Sequence, residues 1–192
     1  MKRAESGQVI VIVAVLLVVT LLFLAVIIDG ARLMVEHQEL KRAADAAGKA
    51  GLIVIGDQMV TQVVSAQTAA ASITLTATPA GSTPGPTLTP TPESDDFYAW
   101  LNDEHRKTLV APPMQTLVAT QALNSAEENG LGLSNPAVTG IDITYPDQYL
   151  PEDQILQVDI KIHRIVAIIF GGLFDLEEGG LTGNSKQSIP QR

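Results

Sequence analysis

Positions 9–28 read VIVIVAVLLVVTLLFLAVII, an apolar run with one polar side chain, Thr20, and no charge. At ~1.5 Å per residue a helix of this length covers roughly 30 Å, the thickness of a bilayer's hydrocarbon core. The run exceeds the ~7–15 apolar residues of a cleaved secretory signal. It also passes into Asp29-Gly30-Ala31-Arg32-Leu33-Met34-Val35-Glu36 without the alternating small residues of a cleavage site. The pattern predicts a transmembrane helix over 9–28. A helix apolar on every face has no counterpart in the polar remainder of the chain large enough to bury it.

Beyond the run, Leu33, Leu40, Ala44, Ala47, Gly51 and Ile55 recur at helical spacing, with Arg32, Glu36, Glu39, Lys41, Arg42 and Asp45 between them. The spacing predicts that the helix continues over 29–56 with one apolar and one solvated side. Gly48, Gly51 and Gly56 each cost about 1 kcal/mol against Ala in a helix interior, so fraying or a pause is expected near Gly56. Residues 57–78 are rich in Ala, Thr, Gln and Val, whose β-branched members leave helix and strand both open. The Thr/Pro-rich stretch 79–94 reads as an extended linker.

Residues 95–192 carry the signals of a small domain. Ser94-Asp95-Asp96 supplies helix-start chemistry ahead of Phe97, Trp100, Leu101 and His105, and Pro112-Pro113 ends that helix. A second helix is expected from Met114 to Glu128, with Leu117, Val118, Gln121, Ala122 and Ser125 on one side and Asn129-Gly130 closing it. The period then becomes two. Ile141, Ile143 and Tyr145 predict a strand, and Leu156, Val158, Ile160 and Ile162 predict another, alternating with Gln157, Asp159, Lys161 and His163 on a wet face. Pro146 to Asp153 is a turn-rich connection. Residues 164–174 are apolar but too short to cross a bilayer and read as a core or interfacial segment, with helix as one conformation. Residues 181–189 predict a third strand. The expected fold class is α+β: a long N-terminal helix, transmembrane and continuing outside, followed by helices and a short antiparallel sheet.

Charge sharpens the topology. The formal net charge is −9, with +1 on residues 1–50 and −10 on the rest. Lys2 and Arg3 precede the apolar run, while Arg32, Lys41, Arg42 and Lys49 follow it, so the basic residues alone do not fix the orientation. Residues 1–8 as a short cationic tail or leader, and the acidic bulk behind the run, favour the N-terminus inside and the C-terminal domain outside. An acidic exterior does not suit nucleic acid, which attracts basic patches. The chain has no cysteine, and therefore no disulfide framework, thiolate metal site or thiol nucleophile.

Candidate chemistry is sparse. His37, His105 and His163 fall on separate segments, and none has the spacing that puts two zinc ligands on one helical face. Asp142, Asp147, Glu152 and Asp153 lack the loop spacing of a calcium-binding hand. Gly171-Gly172 and Gly179-Gly180 are isolated pairs rather than a phosphate-binding loop. No catalytic, cofactor-binding or metal-binding residue is assigned, and neither an enzyme nor a small-molecule substrate is expected.

Three segments in order carry a resemblance: Ser6-Gly7-Gln8 before the apolar run, Ile28-Asp29-Gly30-Ala31-Arg32-Leu33 behind it, and then Leu40-Lys41-Arg42-Ala43-Ala44-Asp45-Ala46-Ala47. The chain resembles the TadE/TadG-like proteins of the tight-adherence (Flp-type) pilus assembly system, whose signature is a leucine, two variable residues and Ala-Ala-Asp-Ala-Ala. The resemblance implies a single-pass protein of the cytoplasmic membrane that acts, without catalysis or cofactor, as a minor pilin-like or assembly component. Its partners would be the lipid bilayer and other pilin-like or secretion-platform proteins. It implies leader processing at Gly7 and Gln8, and helix contacts through Asp29, Arg32, Leu40, Ala43, Ala44, Asp45, Ala46 and Ala47. The fifth position after Gly7 is Ile12, where processed members usually carry Glu, and the Asp-x-Ser-x-Ser loop of larger TadG-type members does not occur. The alternative reading is a membrane-tethered binding module for an extracytoplasmic ligand or cation.

Overall fold

One helix, α1, runs from Glu5 to Thr76 without interruption. A computed structural model describes residues 5–76, 100–146 and 155–190. The 79–94 linker, the Ser94-Asp95-Asp96 signal and the Asp147–Asp153 part of the turn-rich connection lie outside the described residues. After α1 come two shorter helices, α2 (Asp103–Val110) and α3 (Pro112–Glu128), then strands β1 (Val138–Thr144), β2 (Ile155–Ala167) and β3 (Glu178–Pro190). The strands form an antiparallel meander in the order β1-β2-β3. The sheet lies on α1, and α3 lies along α1 beside it. The fold is α+β.

The lower part of α1 is exposed on nearly every side from Val9 to Ile28. This segment is long and apolar enough to cross a membrane. Its one polar side chain is satisfied within the helix, because the Thr20 hydroxyl donates to the Leu16 carbonyl at 2.8 Å. The upper part becomes one-sided: Leu40, Ala43, Ala44, Ala47, Ile55, Met59 and Val63 are buried. No pause occurs at Gly56, and residues 57–76 are helix rather than strand. Tertiary packing decides this, since Met59 and Val63 join the core while Thr61, Ser65 and Thr68 donate their hydroxyls to the carbonyl one turn back.

The two short helices begin differently from expectation. Trp100 and Leu101 precede α2, whose N-cap is Asn102; its side chain accepts from the His105 amide at 2.9 Å. Pro112 and Pro113 open α3 as well as closing α2, because Ala111, held extended (φ −65°, ψ 152°) ahead of a proline, separates the two. The buried face of α3 is Met114, Val118, Ala122 and Ala126, a strict step of four, while Leu117 points to solvent. Asn129-Gly130 closes the helix, with Gly130 at φ +73° and the Leu131 amide donating to the Ala126 carbonyl at 2.9 Å.

The central strand β2 puts Leu156, Val158, Ile160, Ile162 and Val166 into the core and leaves Gln157, Asp159, Lys161 and His163 on the outer face. Residues 164–167 extend this strand instead of forming a helix, and only Gly171–Phe174 turns into a short 3-10 segment within the β2–β3 connection. Tyr145 ties the end of β1 to α2: its hydroxyl donates to the Leu109 carbonyl at 2.8 Å, and burial pushes its pKa above the ordinary value.

Candidate functional site

Of the expected helix-contact set, Asp29, Leu40, Ala43, Ala44 and Ala47 are buried on one side of α1, whereas Arg32 is exposed and Asp45 and Ala46 are half-buried. Lowest is Asp29, directly behind the apolar run and buried. Its two carboxylate oxygens accept from the backbone amides of Ile169 (3.1 Å) and Phe170 (2.9 Å) at the turn after β2. Charge-assisted bonds of this kind are worth about 1.5–3 kcal/mol when formed, and they hold the turn at the height of helix residue 29.

One to two turns higher is an ionic group. Arg164, on the core-facing side of β2, reaches Glu36 at 2.6 Å and Glu39 at 4.0 Å, while Arg32 lies 3.9 Å from the other Glu36 oxygen. Glu36 and Arg164 are both mostly buried, so they are screened less than a surface pair.

Above this, the Leu40–Ala47 stretch seats α1 on the sheet. Leu40, Ala43, Ala44 and Ala47 are buried, and Asp45 and Ala46 are half-buried. The inner face of β3 opposite them is equally small, with buried Gly183 and Ser185. A Cβ on Gly183 would lie 2.6–2.7 Å from the backbone and Cβ of Leu40, so only hydrogen fits there. The same closeness recurs at Gly48, where a Cβ would meet the Gln187 side chain at 2.7 Å, and at Gly51, where it would meet Val118 at 3.1 Å. Asp45 accepts from Gln187 Nε2 at 3.4 Å, and that amide also donates to Ser185 Oγ at 3.0 Å. The close approach that the alanines permit is thus made by this chain's own β3. Gly7 and Gln8 lie within the first turns of α1.

The histidines stay apart from one another, and among the described residues no three or more His, Asp or Glu gather as a metal site. His163 does join two strands on the outer face, with Nε2 3.0 Å from Asp142 Oδ2 and Nδ1 3.0 Å from Thr182 Oγ1. Hydroxyl, imidazole and carboxylate here bridge β1, β2 and β3 on the open face of a paired sheet, and the arrangement acts as a cross-strand tie.

Over residues 7–71 the chain matches the family model for Flp pilus-assembly TadE/G-like proteins (Tad). This stretch, about a third of the chain, is similar to that family. It takes in the apolar run and the whole Leu40–Ala47 signature, and it nearly coincides with α1; the sheet that covers the signature lies beyond it. The match supports a role related to pilus assembly, and with one helix among the described residues long and apolar enough to cross a bilayer the chain fits a single-pass membrane protein. No curated protein matches the chain, and no solved structure does.

Sequence reasoning did not find Gly183, Arg164 or the Ile169–Phe170 amides as partners of the helix. Gly183 and Ser185 left a signal, since two small residues stand two positions apart, on one face of β3. The Asp29 contact left none, because its partners lie 140 and 141 positions away and are backbone amides.

Proposed function

We propose that the chain is a non-enzymatic, membrane-anchored component of a Flp pilus, a minor pilin-like subunit or an assembly factor, whose partners dock on the open side of α1. The observation that supports this most is the coincidence of the TadE/G-like segment with a helix that passes unbroken from the apolar run into the folded domain. The sheet and α3 cover one side of that helix. Ile53, Val60 and Val64 form an apolar row at helical spacing on the other side and are all exposed.

A photo-crosslinking residue placed at 53, 60 or 64, in cells that make the pilus, is expected to capture other pilin-like or secretion-platform proteins. The same residue at 44 or 47 faces the chain's own β3 and should yield internal adducts. Capture of lipid alone, or of nothing, from the exposed row contradicts the proposal.

In the proposed topology the C-terminal domain lies outside. The chain lacks cysteine, so Lys186→Cys on exposed β3 creates a single thiol. A membrane-impermeant maleimide should label it in intact cells; labelling only after lysis reverses the orientation.

A further inference from the structure

We propose that the tip of the β2–β3 connection is a second membrane contact, which inserts apolar side chains into the lipid interface beside the helix. The inference rests on the reading that residues 9–28 span a bilayer.

The tip is Ile168-Ile169-Phe170-Gly171-Gly172-Leu173-Phe174-Asp175-Leu176, eight uncharged residues and one aspartate. Water is a poor solvent for it, yet Ile169, Leu173 and Leu176 are 58%, 62% and 58% exposed. Its fold is closed by its own backbone. The Leu176 amide donates to the Gly171 carbonyl at 2.9 Å, and the Ile168 amide donates to the Glu177 carbonyl at 2.9 Å. A side chain at Gly171 would overlap the Leu176 carbonyl, and Asp175 takes the left-handed conformation at φ 57°. A tight turn that leaves its large aliphatic side chains outside is built to present them.

Position along α1 identifies what they meet. Strand β2 descends the helix toward the apolar run, since Arg164 pairs with Glu36 and the next amides, at 169 and 170, bind Asp29. Asp29 is the first charged residue after the run, so these bonds hold the tip at the boundary between apolar and polar helix. Within the run, Ala25 is only 6% exposed, whereas Leu24 and Val26 are 51% and 56% exposed. The chain therefore covers the helix one turn inside the apolar segment. Ile169, Leu173 and Leu176 continue the lipid-facing surface of residues 9–28, and Glu177 and Glu178 return the chain to water. Side chains at this depth bury apolar surface at the headgroup–acyl boundary without crossing it.

The test uses the full chain reconstituted in phosphatidylcholine vesicles. The single tryptophan is silenced as Trp100→Phe, and Leu173→Trp, Leu17→Trp or Ile53→Trp is added one at a time. Phosphatidylcholines brominated near the headgroup or deep in the chains quench tryptophans at the matching depth. Leu17→Trp reports the span and should lose emission to the deep bromines. Leu173→Trp should be blue-shifted and lose emission to the shallow ones, and Ile53→Trp should lose none. A quenched Leu17→Trp beside an unquenched Leu173→Trp overturns the tip contact and leaves the span standing. An unquenched Leu17→Trp overturns both. A Leu173→Trp blue shift that disappears as protein is diluted into lipid, without bromine quenching, assigns the tip to a second copy of the chain and also overturns the proposal.

Discussion

Gly183→Val is expected to lift α1 off the sheet and to destabilise the folded domain more than any other single change on β3. The first atom of the new side chain would lie 2.6 Å from the Leu40 carbonyl carbon and 2.7 Å from its Cβ and oxygen. Two of these atoms are helix backbone, which cannot rotate away. Overpacking of this kind costs about 1–3 kcal/mol where side chains yield, and the upper end or beyond applies where backbone must move. Unfolding of the full chain in detergent micelles, followed through the fluorescence of half-buried Trp100, should show a melting temperature lower by on the order of 10 °C. Gly183→Ala should fall in the same direction, and Gly180→Ala, where a Cβ meets nothing within 4 Å, should change little. An unaltered transition in Gly183→Val would mean that the helix does not rest on β3.

The second large effect is expected from Ile160→Ala. Ile160 has no exposed surface; it sits mid-way along the central strand, paired with Ile143 on one side and Ser185 on the other, and points at the helices. Removing a buried isoleucine to alanine costs about 2–5 kcal/mol, part in lost transfer energy and part in the cavity left behind. Urea unfolding of the same preparation should move to lower midpoint with an unchanged slope. Lys161→Ala, one residue along on the outer face, should stay within about 0.5 kcal/mol of the parent, which separates core packing from strand propensity.

Much of this arrangement is legible in the chain because the features concerned are local and periodic. The apolar run of 9–28 and the alternation through Leu156–His163 each bury or expose whole faces, so the pattern alone fixes the element. Of the row Leu33, Leu40, Ala44, Ala47, Gly51 and Ile55, all but half-buried Leu33 are buried as the spacing predicts. Residues 57–76 are ambiguous by sequence because valine and threonine tolerate both conformations, and contacts of Met59 and Val63 with distant elements decide for helix. The buried face of α3 lies one position round from the expected one. Alanines 122 and 126 are chosen by closeness to α1, where Gly51 admits Val118, rather than by hydrophobicity.

The same limit applies to the candidate site. A stripe of small residues states that something comes close, without stating what. Here the visitor is Gly183 of the same chain, at a position whose own meaning depends on Leu40. Asp29 reads in sequence as a marker of the membrane boundary, yet its carboxylate also binds backbone amides, which carry no residue-type signal at all.

The absence of a break in α1 has a mechanical consequence. From Asp29 to Thr76 the helix is about 70 Å long at ~1.5 Å per residue. With no hinge at the bilayer surface, a tilt of about 20° in the lipid swings the far end sideways by about 20 Å. Anchor and domain then behave as one lever: a pull along the buried end is delivered to the sheet as load rather than absorbed as bending, and the orientation of the domain reports the tilt of the anchor.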